Sequence, residues 1–276
     1  MKTNGGKPEE EGPLTTRDFL VLLFAGAATA TVGCGRRSRG LNIGVSCRVP
    51  PWGYIDMETG TFTGFDIELA RAACAKLGWR PVFYTISWPD KERLLATGRI
   101  DCVWSSFTVT GREKSFTLLG PYAANRVVVV TRADSGIRRN ADLAGRNVIV
   151  AAGTTSESLL KTGGATGIGA PIGHLQVAPD MSVCWRRLRE GLGDALVADE
   201  DMLDVAVRES GGRLVLVEDE PLHYEGLGVG FRLGDERLRD QIEKVLRELD
   251  QEGVCAKLSQ RFFGRPDRFR MRGVEK

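Results

Sequence analysis

Four hydroxyl side chains and one guanidinium follow a predicted buried strand, Ile100–Trp104, within eight residues. These side chains are Ser105, Ser106, Thr108, Thr110 and Arg112. Short polar groups at the carboxyl end of a strand can replace the water shell of a small ligand. A guanidinium adds paired donors that match a carboxylate. Arg112 is therefore the candidate anchor for a ligand carboxylate, and the alternative is a solvated loop arginine.

Composition indicates a soluble globular protein with room for two domains. The chain has 276 residues, of which 42% are hydrophobic and 27% are charged. The net charge of +2 gives no strong electrostatic preference, so nucleic acid is not expected as a partner. The basic C-terminal segment, 265–276, is predicted to be a solvated tail.

Cysteine and histidine patterns favour neither a metal site nor a hydrolase. The six cysteines show no C-x-x-C spacing, and the two histidines form no recognisable catalytic triad with serine and an acid. We therefore expect no metal and no cofactor. Cys74 and Cys102 lie in apolar periodic stretches and are predicted to pack as small buried groups.

The N-terminal region has the form of an export signal. Its apolar run, Phe19–Thr31, is too short to span a bilayer as a stable helix, and small residues follow it. Residues 32–35 read Val-Gly-Cys-Gly and resemble a bacterial lipoprotein signal, which predicts a signal peptide over 1–33 and lipid attachment at Cys34. The segment before the run is net acidic rather than basic. The alternative is a buried N-terminal helix with an ordinary cysteine.

After a linker at 34–40, strand and helix patterns alternate as they do in α/β folds. In the first half the predicted strands are Leu41–Ser46, Pro81–Ser87 and Ile100–Trp104, and the predicted helices are Phe65–Leu77 and Asp90–Ala96. In the second half the predicted strands are Arg126–Arg132, Asn147–Ala152, Leu175–Ala178, Ala195–Ala198 and Leu227–Phe231. The helices predicted there are Ser182–Glu190, Met202–Glu209, Asp235–Glu252 and Val254–Phe263.

Two further positions in the second half can carry charge recognition. The sequence from Thr154 to Glu157 has the capping-box form, so a helix is predicted to start at Thr155 with free amides at its end. Free amides at a helix N-terminus can receive a carboxylate, although most capping boxes bind no ligand. Asp199 follows the strand Ala195–Ala198 and is placed to pair with an ammonium, or else to cap the next helix.

These residues jointly resemble the bacterial extracytoplasmic solute-binding proteins of the polar amino acid class, the receptors of amino acid ABC importers. The resemblance covers 41–264, and its motifs are Pro50-Pro51-Trp52, Gly64 to Ala70, Ser87-Trp88, Gly98 to Asp101, Thr108 to Arg112, Pro121-Tyr122, Asp142 to Gly145, Gly153 to Ser156, Asp194 to Asp199 and Arg261 to Gly264. It implies an α/β fold of two lobes joined by two hinge strands, with the ligand between closing lobes. The implied lobes are 41–122 plus 227–264, and 127–222.

The resemblance also implies a role for individual residues. Arg112 matches the arginine that clamps the ligand α-carboxylate, assisted by the amide of Thr155 beside Thr154. Asp199 matches the acid that receives the α-ammonium. The remaining matched positions are Ser105 and Thr108 beside the ammonium, Ser106 on the floor, Trp88 and Val49 on the wall, and Ser46 where side-chain specificity is set.

The expected ligand is an amino acid with a neutral or acidic side chain. Ser46 stands where the family is often acidic, which disfavours a cationic side chain, and Arg48 on the same face is a candidate partner for an acidic one. The expected partners are ABC importer membrane subunits and, through the lipid anchor, the membrane; the receptor itself is expected to be a monomer. The alternatives are a prephenate- or arogenate-dehydratase-like enzyme on the same fold and a detached sensor domain.

Overall fold

The computed structural model describes residues 39–163, 168 and 171–271. The predicted signal peptide, Cys34, most of the predicted linker and the last five residues of the predicted tail lie outside these ranges. Within them the strands are β1 (Gly40–Val45), β2 (Arg48–Val49), β3 (Gly53–Ile55), β4 (Phe62–Thr63), β5 (Arg80–Thr85), β6 (Cys102–Thr108), β7 (Phe116–Arg132), β8 (Asn147–Ala151), β9 (His174–Ala178), β10 (Ala195–Asp199), β11 (Leu214–Leu216) and β12 (His223–Arg232).

The α-helices of the described residues lie between these strands or follow them. They are α1 (Phe65–Leu77), α2 (Lys91–Ala96), α3 (Thr155–Thr162), α4 (Met181–Arg189), α5 (Glu200–Glu209), α6 (Glu236–Gln251) and α7 (Val254–Phe263). The helix α1 has the predicted bounds, and Gly78 ends it in the left-handed conformation at φ 67°. None of the helices in the described ranges is long and apolar enough to cross a membrane.

One sheet runs through both lobes. Its strand order is β5-β1-β6-β12-β7-β10-β8-β9, and β11 pairs with β7. The first lobe contains the parallel strands β5, β1 and β6, and the second contains the parallel strands β10, β8 and β9. The two groups are connected through β12 and β7, which run antiparallel to their neighbours.

The long strands β7 and β12 belong to both lobes. The end of β12 pairs with β6, while the last residues of β7 pair with β10 from Val127 to Thr131. Between these regions β7 pairs with β12 from Ala124 to Val127. This pairing connects the two lobes, and both the hinge and the residue bounds of the lobes stay predictions.

Three predicted strands are too short. The strand predicted at Ile100–Trp104 continues to Thr108, because Phe107 and Thr108 pair with Gly228 and Leu227 of β12. Likewise β7 starts at Phe116 rather than Arg126, and β12 starts at His223 rather than Leu227. In each case the extra residues are polar or mixed, and pairing with a distant strand makes them extended.

Apolar clusters fill each lobe beneath the sheet. In the first lobe Phe107 packs with residues such as Val103 and Phe116, and in the second Val150 packs with residues such as Val127 and Val197. Cys74 and Cys102 are fully buried, as predicted. None of the cysteines in the described part of the chain forms a disulfide.

Two residues of the C-terminal tail are packed rather than solvated. Phe269 is 4% exposed and stacks on Tyr122 with ring centroids 5.1 Å apart. The Arg268 guanidinium lies over the Trp52 ring and pairs with Asp201. The prediction of a solvated tail is therefore wrong for Arg268 and Phe269, which find partners that are distant in sequence, whereas residues 265–267 and 270 are exposed.

Gly228 allows β12 to pass close to β7. A Cβ atom at this position would lie 2.1 Å from the Leu119 carbonyl oxygen, a backbone atom that cannot yield cheaply. We expect Gly228→Ala to lower the free energy of unfolding by about 3 kcal/mol, since overpacking forces backbone shifts. Gly40→Ala is the matched control, because a methyl group added there would have nothing within 4 Å. Urea unfolding checks both variants, and equal stability of the two would contradict the close approach.

Candidate functional site

A cavity of about 390 Å³ lies between the two lobes at the carboxyl ends of β1, β6, β8 and β10. All ten residues predicted to bind ligand line it: Ser46, Val49, Trp88, Ser105, Ser106, Thr108, Arg112, Thr154, Thr155 and Asp199. The cavity size is in the range of small-molecule sites. The structure thus brings the predicted residues together, while their contact with a ligand stays a prediction.

A bulge in β6 aims Ser106 into the cavity. Three β6 residues, 104–106, stand opposite one residue of β12, and Ser106 has φ 46°. Such bulges redirect side chains near functional sites. The Ser106 hydroxyl donates to Asp199 Oδ2 at 3.0 Å, so it joins the first lobe to the second.

A buried carboxylate holds this bulge in place. Asp66 is fully buried and accepts hydrogen bonds of 2.7 Å from the Ser106 amide and from the Tyr122 hydroxyl. Burial raises the pKa of Asp66 to about 7, although both hydrogen bonds favour its charged form. Asp66 therefore supports the floor of the cavity without lining it.

The Arg112 guanidinium faces the cavity without a protein acceptor. It lies 5.0 Å from the centre of the Phe107 ring, and it makes no hydrogen bond or ion pair to any residue in the described ranges. Burial lowers the pKa of Arg112, and the carboxylates of Glu225, Glu92 and Asp199 oppose that effect from a distance. A half-buried guanidinium without an acceptor is suited to bind an anion.

The N-terminus of α3 faces the same region from the second lobe. Thr154 caps the helix, because its hydroxyl accepts from the Glu157 amide at 3.3 Å. The Glu157 carboxylate accepts from the Gly153 amide at 2.6 Å, one residue before the position that a standard capping box uses. The first-turn amides of Thr155 and Ser156 have no intrahelical acceptor, so they remain as donors at the cavity.

Two further hydrogen bonds cross between the lobes. The Thr155 hydroxyl donates to the Thr108 hydroxyl at 3.2 Å. Lys91 is 4% exposed, and its ammonium donates to the carbonyl of Gly153 at 3.0 Å and to that of Trp88 at 3.1 Å. Burial lowers the pKa of Lys91 to about 8. These contacts hold the helix N-terminus against the first lobe.

Asp199 is the acidic group of the cavity floor. It ends β10, and both the Ser106 hydroxyl and the Asn125 amide favour its charged form. Loss of water around it outweighs these contacts, and the nearby Glu225 carboxylate acts in the same direction, so the pKa of Asp199 rises to about 7. Near neutral pH this carboxyl therefore titrates, and a ligand cation would favour its charged form.

The other end of the cavity is mixed in character. Trp88 and Met181 supply apolar surface, and Val49 is 8% exposed. At the exposed mouth of the cavity, Arg48 of the first lobe faces Asp180 of the second. The pKa of Asp180 is lowered mainly by its hydrogen bond from the Ser182 hydroxyl, and the Arg48 guanidinium lowers it further. This end can therefore accommodate a neutral side chain without leaving an unmatched charge.

Comparison with known proteins places the chain in a family. Residues 41–265 match the bacterial extracellular solute-binding proteins, family 3. The chain belongs to this family. The L-cystine-binding protein TcyA of Bacillus subtilis is 26% identical over 227 residues, which are 81% of each chain.

Further relatives agree in length and fold. The histidine-binding periplasmic protein of Salmonella typhimurium is 27% identical over 252 residues, covering 88% of this chain and 94% of that protein. The crystal structure of Tv2483 bound to L-arginine has a TM-score of 0.77 at 28% identity and covers 86% of this chain and 95% of its own. The expected two-lobed fold of an amino acid ABC transporter receptor is thereby confirmed, as is the expectation of a binding protein rather than an enzyme.

Sequence reasoning gave no role to several residues of this solute-binding protein. Asp66 lies in a quoted motif, but its link to Ser106 depends on tertiary structure. Lys91 carries no local signal, since its partner Gly153 is 62 residues away. Asp180 and Met181 follow the end of β9, so the rule that ligands bind at carboxyl ends of strands would have found them.

The Asp66 interactions predict a specific cost. Asp66→Ala would leave two buried donors, the Ser106 amide and the Tyr122 hydroxyl, without their close acceptor. We expect the free energy of unfolding to fall by about 3 kcal/mol or more, since each unsatisfied buried donor costs about 1–3 kcal/mol. Asp134→Ala, at an exposed turn position, is the control and should cost about 1 kcal/mol or less. Chemical denaturation measures both, and equal losses would refute this role.

Proposed function

We propose that this protein is an extracytoplasmic receptor that binds one amino acid between two closing lobes and delivers it to an ABC importer. The observation that carries the proposal is the pair of opposite charges in one cavity: Arg112 from the first lobe and Asp199 from the second. A zwitterion leaving water needs both of its charges compensated. The family, whose members are extracellular, supports the location outside the cytoplasm.

Arg112 binds the α-carboxylate in this proposal. Its guanidinium has no protein acceptor among the described residues, so the ligand supplies one, and the Thr155 amide of the opposite lobe adds a donor. Charge-assisted hydrogen bonds of this kind are about twice as strong as neutral ones. The carboxylate is thus held by both lobes at once.

Asp199 binds the α-ammonium, with the Ser105 carbonyl and the Thr108 hydroxyl as further acceptors. Ser105 and Thr108 line the cavity with Asp199 and are almost fully buried. Because the ammonium contacts acceptors of both lobes, its binding energy favours the closed arrangement over an open one. Lobes bounded by 41–122 plus 227–264 and by 127–222 would close about the segment where β7 and β12 pair.

A neutral ligand side chain fits best, and an acidic one is second. Arg48 and Asp180 balance each other at the mouth, while Val49, Trp88 and Met181 offer apolar surface. An acidic side chain would pair with Arg48 but would also meet Asp180. Thermal unfolding with each amino acid in turn identifies the ligand, because a ligand at about 100 times its Kd adds about 2.7 kcal/mol of stability.

Arg112→Ala is expected to abolish amino acid binding without unfolding the protein, because the guanidinium lacks a structural partner in the described part of the chain. We expect the affinity to fall at least 100-fold, as for the loss of a desolvated charge partner worth about 3 kcal/mol. Arg99→Ala, at an exposed position, is the matched control. Titration calorimetry measures both, and unchanged affinity in Arg112→Ala would eliminate this assignment.

The receptor is further proposed to be a lipid-anchored monomer, through the cysteine at position 34. The support is the apolar run followed by Val-Gly-Cys at 32–34, since an acyl anchor requires a thiol at this point. We expect Cys34→Ala to release the protein from the membrane fraction, with Cys47→Ala as the control. Membrane fractionation and palmitate labelling of the three proteins measure this release. A wild-type protein that takes up no palmitate would disprove the anchor.

A further inference from the structure

A buried carboxylate behind the cavity has an oxygen without a partner. Glu225 is 5% exposed and Asn125 is 1% exposed. The Asn125 amide donates to Glu225 Oε1 at 2.7 Å, which leaves Glu225 Oε2 and Asn125 Oδ1 unpaired among the described residues. An unpaired buried oxygen costs free energy, so its retention calls for a physical reason.

The sheet places this pair beside Asp199. Asp199 pairs with Val127, and Glu225 pairs with Asn125, which lies two residues before Val127 on the same strand. Residues paired across strands share a face, and so do residues two apart along a strand. Asp199, Asn125 and Glu225 therefore share one face of the sheet at the point where the lobes join.

Charged groups surround the two carboxyl groups on several elements. Arg112 faces them from the loop after β6, and Asp201 from α5. Lys91 and Glu92 of α2 act electrostatically on Arg112 rather than on Asp199 directly.

The remaining charged groups nearby are already paired. Asp66 accepts from the Ser106 amide, and Arg268 forms an ion pair with Asp201. Glu225 is the principal like charge acting on Asp199 and the principal counter-charge acting on Arg112.

Building on the proposed function, we propose that Asp199, with the Glu225 carboxylate and the Asn125 amide beside it, holds one proton without ligand and releases it to solvent when a protonated amine binds. Glu225 is then a positioning residue. It does not line the cavity, and it acts by setting the pH range over which Asp199 is charged.

The sign of the pH dependence follows from the raised pKa of Asp199, about 7. An ammonium binds the charged carboxylate, so affinity is retained above this value and is lost about tenfold per pH unit well below it. Removing the Glu225 charge removes a like charge, which moves the loss of affinity to lower pH. A purely structural role for Glu225 would leave the midpoint in place.

The first test needs no ligand. Carboxyl-detected NMR follows the Asp199 titration, with its signal assigned by its absence in Asp199→Asn. The wild-type midpoint is expected near 7, and Glu225→Gln, which keeps the acceptor for Asn125, is expected to lower it by about one unit. The control Glu218→Gln removes an exposed charge and should leave it unchanged. A wild-type midpoint in the ordinary aspartate range, or an unmoved midpoint in Glu225→Gln, overturns the inference.

The second test adds the amino acid found by thermal unfolding. Calorimetry at about pH 6 in buffers of different ionisation enthalpy should show release of about one proton per ligand by the wild type and about half a proton by Glu225→Gln. Binding without proton release by the wild type overturns the inference alone. If no amino acid binds either protein although the NMR midpoint moves, the proposed function fails while the effect of Glu225 on Asp199 stands.

Discussion

The structure depends on two opposite charges, those of Arg112 and Asp199, that line one cavity and are only partly compensated by the protein and by water. Arg112 has no acceptor among the described residues, and Asp199 has lost enough water for its pKa to rise to about 7. The two groups come from opposite lobes, so neither lobe alone can satisfy both. A ligand that carries both charges is the simplest way to satisfy them, and it would do so only when the lobes are together.

The sheet makes this arrangement possible because two of its strands are long enough to serve both lobes. The strand β12 pairs with β6 of the first lobe, and β7 pairs with β10 of the second. The pairing of β7 with β12 connects these two regions. Glycine at 228 lets these strands approach, and the bulge in β6 next to its partner Phe107 turns Ser106 toward Asp199. The strands that connect the lobes thus also help to position the cavity floor.

Groups that do not line the cavity support it. Asp66 holds the Ser106 amide, Lys91 holds the carbonyl before the α3 N-terminus, and Glu225 acts on both Arg112 and Asp199. Each is buried with incomplete charge compensation, which is costly and is justified where it fixes the geometry or the charge of a site. Their partners are 40, 62 and 100 residues away for Asp66, Lys91 and Glu225 respectively.

The sequence alone determined the elements whose signals are local. The apolar stripe and the following glycine set the bounds of Phe65–Leu77, and a threonine cap set the start of α3. It also named ten residues that line one cavity, because they occur at predicted strand ends or match family motifs. Only the tertiary structure decided the full lengths of β6, β7 and β12, the packing of Phe269, and the contacts of Asp66, Lys91 and Glu225. The physical reason is range: periodicity and capping act over a few residues, whereas strand pairing and buried charge depend on partners that only the folded chain brings together.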